Sequence, residues 1–140
     1  MVKVKELMTT DVVTARPDDS ISEALEKMRT GRFRRIPVVD RGRLTGVITD
    51  RDIRQALNSP MLFRDRSYDD YVLRELKVGG SMTSGPLTIH PDAGIVEAAE
   101  MMEKNRIGGL PVVDNDSLVG IITISDLMNY LIRLLREERL

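Results

Sequence analysis

The chain has 140 residues, of which 41% are hydrophobic and 31% are charged, as in an ordinary globular protein. Its formal net charge of −1 argues against an electrostatic nucleic-acid binder, and the absence of cysteine excludes disulfides, zinc–thiolate sites and thiol catalysis. The sequence has one histidine, His90, and no apolar run of about 20 residues, which argues against a His-rich metal site, a Ser-His-Asp triad and a membrane-spanning helix. We therefore expect a non-membrane, cytoplasmic protein.

The sequence contains an internal duplication. Residues 4–57 align with residues 78–131 at a constant offset of 74 positions, with 22 identities in 54 pairs. A repeat of this size buries too little apolar surface to be stable alone, so we expect the two copies to fold as one unit with a pseudo-two-fold axis. The predicted organisation is repeat 1 over 1–57, a partly helical linker over 58–77, and repeat 2 with a C-terminal helix over 78–140.

The first half of repeat 1 predicts a short strand and then a helix. The β-prone run Val12-Val13-Thr14 ends at the turn-forming stretch Arg16-Pro17-Asp18-Asp19. Residues Ser20 to Glu23 form a capping box, which predicts that a helix starts there. Apolar residues then recur at the spacing of one helix face, at Ile21, Ala24, Leu25 and Met28.

The second half of repeat 1 predicts a hairpin and a second helix. Ile36 to Val39 is a strand with an early proline, Asp40 to Arg43 is a turn, and Leu44 to Thr49 is the returning strand. A helix begins at Thr49 or Asp52. Each repeat therefore has the order strand, helix, strand, strand, helix, which places the protein in the mixed α/β (α+β) class.

Two further segments predict helices outside this pattern. Near the C-terminus, apolar residues share one face of an amphipathic helix, at Leu127, Leu131, Leu134 and Leu135. That helix either covers the sheet or extends into a dimer contact. The linker also carries a helical stripe, at Tyr68, Val72 and Leu76, which predicts a lid or a partner surface.

Two pairs of repeated strings carry a family resemblance. The strings RIPVVD (35–40) and GLPVVD (109–114), together with GVITDRD (46–52) and GIITISD (120–126), resemble a pair of CBS (cystathionine-β-synthase-type) domains. The likeness covers nearly the whole chain. The chain is similar to stand-alone bacterial CBS pairs, including the acetoin-utilisation regulator group.

The resemblance implies a function as well as a fold. It implies a non-enzymatic regulatory module that requires no cofactor. The ligand of such a module is an adenine nucleotide (AMP, ADP or ATP), with or without Mg²⁺, or a related adenosyl compound such as S-adenosylmethionine. Such a module signals to a separate or attached enzyme, transporter or channel. The resemblance also implies a homodimer, a flat disc of four repeats.

The element Thr-x-x-Asp occurs once in each repeat, at Thr49–Asp52 and at Thr123–Asp126. It is typical of a helix cap, with the hydroxyl at the helix start and the carboxylate in the first turn. It is also compatible with ligand binding, because a carboxylate can accept hydrogen bonds from ribose hydroxyls. The two interpretations can coexist. The resemblance implies the second use, with each aspartate on ribose and each threonine beside the phosphate or sugar.

The repeats differ in charge just before the RIPVVD and GLPVVD strands. Repeat 1 has Arg32, Arg34 and Arg35 where repeat 2 has only Arg106 followed by Gly108 and Gly109. The forked guanidinium suits phosphate oxygens, although a solvated basic loop is the plainer interpretation. We therefore expect two unequal sites, the arginine-rich one being better suited to a phosphorylated ligand.

The resemblance implies that each site combines residues of both repeats. The first site would contain Val13, Phe33, Arg34, Arg35, Thr123 and Asp126. The second would contain Leu87, Ile107, Gly108, Thr49, Arg51 and Asp52.

Three other functions stay open on the residues alone. The chain could be a structural dimerisation or interaction module in which Thr-x-x-Asp is only a cap. It could be a small hydrolase with Asp52 or Asp126 as the base, although it has no GxxxxGK[ST] loop and no evident nucleophile or metal cluster. It could bind nucleic acid through the patch Arg32 to Arg35, which the near-zero net charge argues against. We interpret His90 as an exposed turn residue without a function.

Overall fold

The structure is a computed structural model that describes residues 1–57, 71 and 73–138. Its helices and strands in chain order are α1 (Val4–Leu7), α2 (Ile21–Gly31), β1 (Arg35–Asp40), β2 (Arg43–Thr49), α3 (Asp50–Leu57), α4 (Val78–Ser81), β3 (Thr83–Ser84), α5 (Ile95–Asn105), β4 (Gly109–Asp114), β5 (Ser117–Thr123) and α6 (Ile124–Glu138). The predicted mixture of helices and antiparallel strands is confirmed.

The chain forms two compact units whose limits differ from those of the sequence repeats. The central unit is Val13–Pro86, and the terminal unit combines Met1–Val12 with Leu87–Leu140. The leading segment of repeat 1 therefore packs with the body of repeat 2, and the leading segment of repeat 2 packs with the body of repeat 1. The pseudo-two-fold packing of the repeats stays a prediction.

The first helix of the central unit begins and ends where local chemistry places it. The Glu23 amide donates to Ser20 Oγ at 3.1 Å, so the predicted N-cap is confirmed. The helix ends as Arg32 enters the left-handed region at φ 58°. The buried face of α2 packs on the β1–β2 hairpin. The core of the central unit comprises Ala15, Ile21, Ala24, Met28, Ile36, Val38, Ile48, Ile53 and Val78.

The predicted strand at 12–14 is wrong. Only Ala15 meets β1, in a single parallel bridge to Val38, with hydrogen bonds to Pro37 O at 3.0 Å and from Val39 N at 2.8 Å. The pairing stops because the next residues form a turn in which the Asp19 amide donates to Arg16 O at 3.0 Å. The third strand of the central unit is instead β3, which pairs antiparallel with β2 and was not predicted.

The terminal unit repeats this arrangement. The β4–β5 hairpin has the register of β1–β2, from Gly109 opposite Thr123 to Asp114 opposite Ser117. The role of β3 is taken by Thr9, which forms an antiparallel bridge to Ile121 in β5. The core is formed by Val4, Ile89, Ala98, Met102, Leu110, Val112 and Ile122.

The predicted C-terminal helix is confirmed as α6. Leu127 packs against the terminal core, whereas several other apolar side chains of the helix are exposed, namely Ile124, Met128, Leu131, Ile132, Leu134 and Leu135. In the linker, Tyr71 and residues 73–75 are helical, but Tyr68 and Val72 of the predicted stripe lie outside the described residues. Within the described ranges, no helix combines the length and the apolar character that crossing a membrane requires.

Candidate functional site

The Thr-x-x-Asp element of the central unit caps α3. The Thr49 amide donates to Asp52 Oδ2 at 2.9 Å, and the Asp52 amide donates back to Thr49 Oγ1 at 3.1 Å. These reciprocal bonds satisfy two amides that a helix start would otherwise leave unpaired. The capping interpretation is therefore confirmed for this repeat, and the carboxylate lies in the favourable first turn of the helix.

The terminal unit builds the same cap at the start of α6. The Thr123 amide donates to Asp126 Oδ2 at 2.9 Å, and the Asp126 amide donates to Thr123 Oγ1 at 3.4 Å. The Thr123 hydroxyl also donates to Asp126 Oδ2, at 3.1 Å. One oxygen of each aspartate thus belongs to its helix cap, which leaves the other oxygen, Oδ1, for a different contact.

A second threonine reaches Oδ1 of each aspartate. Thr9 Oγ1 donates to Asp126 Oδ1 at 3.1 Å, and Thr83 Oγ1 lies 3.5 Å from Asp52 Oδ1. Thr9 and Thr83 occupy equivalent positions of the two repeats, so the same contact is built twice. The sequence reasoning missed both residues, although the repeated Met-Thr dipeptide was a signal that could have found them.

The glycine that opens each GVITDRD-type string lets the Met-Thr segment come close. A Cβ on Gly46 would lie 2.7 Å from Thr83 O and 2.6 Å from Met82 Sδ. A Cβ on Gly120 would lie 2.9 Å from Thr9 O. Real Cβ atoms do not approach a backbone oxygen so closely, so glycine is required if the threonine is to reach the aspartate.

Two arginines, Arg34 and Arg35, lie at the end of the central hairpin where β2 leads into the Thr49–Asp52 cap. After Arg32, the Phe33 amide closes the end of α2 by donating to Met28 O at 3.1 Å, and the Phe33 ring packs against the core. The chain then passes Arg34, whose carbonyl accepts the Asp50 amide at 2.9 Å. Arg35 lies opposite Thr49 in the sheet register. The structure therefore brings the predicted arginines beside the Thr49–Asp52 cap of their own unit.

No ion pair with a described residue neutralises the positive charge at this end. Among the described residues, Arg34, Arg35 and Arg51 form no salt bridge, while Asp50 pairs with Arg54 at 3.5 Å. Burial lowers the pKa of the Arg35 guanidinium, and the nearby Asp50 carboxylate opposes that shift. An arginine stays protonated at neutral pH, so these guanidiniums are available to an anion.

The terminal unit has the same backbone without the charge. The Ile107 amide donates to Met102 O at 3.0 Å, and the Ile124 amide donates to Gly108 O at 3.1 Å. Gly109 lies opposite Thr123. Glycines thus stand where the central unit has Arg34 and Arg35, so the two units differ in charge at equivalent backbone positions. That the two sites are unequal towards a ligand stays a prediction.

The remaining apolar site residues are exposed at equivalent places. Val13 is 41% exposed and Leu87 is 46% exposed. Each lies two residues before the residue that bridges to its hairpin, Ala15 or Ile89. Such side chains offer an apolar contact to a planar base. The predicted combination of residues from both repeats in one site stays a prediction.

Other chemistry is sparse in the part of the chain that the structure describes. No group of three or more His, Asp or Glu side chains there could hold a metal ion. A cavity of about 560 Å³ lies at the opposite, turn end of the central hairpin, and one of about 430 Å³ lies along α6; neither is lined by the predicted site residues. His90 is about half exposed, as expected for a turn residue, and lies 3.4 Å from an Asp114 carboxylate oxygen.

The duplicated hairpin, cap and Met-Thr contact define a tandem-repeat module, and comparison with known families identifies it. The model of the CBS domain family matches residues 4–59 and 73–133. The matches span most of the chain, so the chain belongs to the CBS domain family.

The similar proteins include whole chains of about the same extent. A CBS domain-containing protein of Dictyostelium discoideum is 40% identical over 136 residues, covering 96% of this chain and 94% of that protein. The structure of AcuB from Vibrio cholerae, a protein named for acetoin utilization, matches with a TM-score of 0.84 and 32% identity over 99% of this chain and 96% of its own. The CBS domain pair of protein MJ0100, solved with 5′-methylthioadenosine and S-adenosyl-L-methionine, matches with a TM-score of 0.78 and 29% identity over 94% and 96% of the two chains.

Proposed function

We propose that this chain is a non-catalytic regulatory module that binds an adenosyl ligand and signals its presence to a partner protein. The observation that carries the proposal is the group of guanidiniums at one end of the central unit. Arg34 and Arg35 lie where β1 begins, and they have no ion-pair partner among the described residues. A helix cap does not need these charges, whereas an anionic ligand does.

The chemistry of the site suits the ligands found in a related structure. The MJ0100 domain pair was solved with S-adenosyl-L-methionine and 5′-methylthioadenosine, which share adenosine. An aspartate can accept the ribose hydroxyls, Val13 or Leu87 can contact the base, and the guanidiniums can bind a charged tail. Either the phosphate of a nucleotide or the carboxylate of S-adenosylmethionine would satisfy them. Neither tail makes Mg²⁺ a requirement.

The proposal includes the predicted division of residues between two sites. One site would combine Val13, Phe33, Arg34 and Arg35 with Thr123 and Asp126, and the other Leu87, Ile107 and Gly108 with Thr49, Arg51 and Asp52. Ligand binding would favour one arrangement of the module over another in proportion to its difference in affinity for the two. A partner that binds one arrangement better would then sense the ligand.

Calorimetric titration tests the proposal, using AMP, ATP, S-adenosylmethionine and 5′-methylthioadenosine. We expect about micromolar binding of at least one charged ligand, and Asp126→Ala should abolish binding at the site that contains Asp126 while leaving the site that contains Asp52. The double substitution Arg34→Gln with Arg35→Gln should weaken the binding of AMP by about tenfold to a hundredfold, because charge-assisted hydrogen bonds are lost. It should leave 5′-methylthioadenosine, which has no anionic tail, nearly unaffected.

The control is Arg43→Gln, which removes one positive charge from the other end of the hairpin, opposite Asp40. It should leave every affinity unchanged. Failure of all four ligands to bind the unmodified protein would refute the proposal. Equal weakening of AMP and 5′-methylthioadenosine by the double substitution would show that the arginines support the fold rather than the anion.

A second function is an interaction module that acts as a homodimer. The exposed apolar face of α6 favours it, since Ile124, Met128, Leu131 and Leu135 recur at helical spacing on the surface. Leu131→Glu should then convert a dimer to a monomer in sedimentation equilibrium. In a module without a ligand, Asp126→Ala would lower the stability of α6 and change no ligand affinity.

A further inference from the structure

The two aspartates differ in how much of their hydrogen-bonding capacity is already used. A carboxylate offers about four lone-pair positions, two on each oxygen. In Asp126, Oδ2 accepts both the amide and the hydroxyl of Thr123, at 2.9 and 3.1 Å, so that oxygen is full. Oδ1 accepts the Thr9 hydroxyl at 3.1 Å. About one position is therefore left on Asp126.

The central aspartate has more capacity. Among the described residues, Asp52 Oδ2 accepts only the Thr49 amide, at 2.9 Å. Its Oδ1 faces Thr83 Oγ1 at 3.5 Å, a separation at the outer limit of a hydrogen bond. Asp52 can therefore accept two hydroxyls without losing a strong contact.

We propose that Thr9 is a competing donor for Asp126, which a ribose diol must displace. This inference rests on the proposed adenosyl site. The two hydroxyls of a ribose need two acceptor positions, and Asp126 has one while the Thr9 hydroxyl occupies Oδ1. A sugar with a single hydroxyl fits the free position and leaves Thr9 in place. Thr83 is no such competitor, because its contact is already weak.

Displacement of Thr9 changes more than one hydrogen bond. The backbone of Thr9 pairs with Ile121, with hydrogen bonds of 2.9 Å in both directions. The preceding Met8 lies over Gly120. The Thr9 hydroxyl is one side-chain link between this edge segment and α6, so its displacement by ligand loosens the pairing of Thr9 with Ile121 in β5. Occupancy at Asp126 is thereby converted into a weaker backbone pairing between Thr9 and Ile121.

The first experiment measures affinities in a background that isolates each aspartate. In Asp52→Asn protein, Thr9→Val should tighten the binding of AMP by about fivefold, since it removes one competing charge-assisted hydrogen bond at a partly exposed site. The same substitution should leave the affinity for 2′-deoxy-AMP unchanged. The matched control, Thr83→Val in Asp126→Asn protein, should change neither affinity. Valine keeps the shape of threonine in both variants.

Hydrogen exchange supplies the second readout. In the otherwise unmodified protein, AMP should speed exchange of the Thr9 and Ile121 amides, and in Thr9→Val protein both amides should exchange faster even without AMP. Weaker binding of AMP by Thr9→Val would overturn the inference, because Thr9 would then orient the carboxylate for the ligand. Equal effects on AMP and 2′-deoxy-AMP, or ligand-induced protection of these amides, would also overturn it. In each of these cases AMP still binds and the proposed function stands; absence of binding to every variant and to the unmodified protein would end both.

Discussion

The central and terminal units place the same motif in the same geometry but surround it differently. In both, a glycine lets a Met-Thr segment cross the hairpin, and a threonine hydroxyl reaches the aspartate of the next helix. In the central unit the neighbouring positions are Arg34 and Arg35, whereas in the terminal unit they are Gly108 and Gly109.

This difference separates the residues that build the fold from those available to a ligand. The shared residues have contacts within their own unit that explain them, namely a close backbone approach at the glycine and a reciprocal cap at Thr-x-x-Asp. The arginines have no ion-pair partner in the described ranges, so the fold does not account for them. Their absence from one copy agrees with a role in which only one site receives an anion.

The largest expected effect tests the shared part of the geometry. Gly46→Ala and Gly120→Ala should each lower the free energy of unfolding by about 1–3 kcal/mol, because the new Cβ overlaps a backbone oxygen and a methionine sulfur. Gly46→Ala should cost more, since its Cβ would lie 2.7 Å from Thr83 O against 2.9 Å from Thr9 O for Gly120. Urea unfolding followed by circular dichroism measures both.

Gly80→Ala is the matched control for these glycines. Gly80 lies in α4, and an added Cβ would meet nothing within 4 Å. Alanine is a better helix former than glycine, so this variant should be neutral or slightly more stable. The close-approach argument fails if Gly120→Ala is as harmless as Gly80→Ala.

A smaller effect distinguishes the first helices of the two repeats. Ser20 caps α2 with its hydroxyl, whereas Gly94 precedes α5 without a side-chain cap. Ser20→Ala should therefore cost about 1 kcal/mol of stability, and Gly94→Ser should add a few tenths. Among the described residues, the added Cβ at Gly94 meets only the side chain of Met1, which is exposed and can move. Thermal unfolding of both variants checks the pair, and a destabilised Gly94→Ser would contradict it.

Sequence reasoning succeeded where structure follows from neighbouring residues. The Ser20 cap, the hairpins and both Thr-x-x-Asp caps depend on spacings of a few residues, which a local pattern reveals. The contact of Thr9 with Asp126 joins residues 117 positions apart, so the repeated Met-Thr dipeptide could mark Thr9 as a candidate but could not indicate its partner. The packing of each repeat's leading segment against the body of the other repeat also joins residues far apart in the chain, so local patterns did not predict it. A strand was predicted at 12–14 because β-propensity describes residues that suit a sheet but does not say whether a partner strand runs alongside.

The smallest expected effect concerns the turns that precede the first helices. In the terminal unit, Lys5 Nζ lies 2.9 Å from Asp92 Oδ1, and its hydrogen bond and charge lower the pKa of the Asp92 carboxyl. The same contact raises the pKa of Lys5. At the equivalent position of the central unit, Asp18 forms no ion pair with any described residue, so this carboxylate is paired in one turn and not in the other.

The sign of the pH dependence follows from these directions. Because the pKa of Asp92 is lower in the folded state, its contribution is present above the pKa of the unfolded carboxyl and is lost as the pH falls through the folded value. Because the pKa of Lys5 is higher in the folded state, its contribution is lost as the pH rises through that value. The pair should therefore stabilise the terminal unit between about pH 4 and pH 10. At pH 7, Asp92→Asn should have a lower urea midpoint than the unmodified protein, and the gap should close near pH 3 or in high salt. Asp18→Asn is the control, and its urea midpoint should differ from that of the unmodified protein by less at pH 7. A difference in midpoint for Asp92→Asn that persisted at pH 3 would mean that the carboxylate stabilises the turn by some means other than its charge.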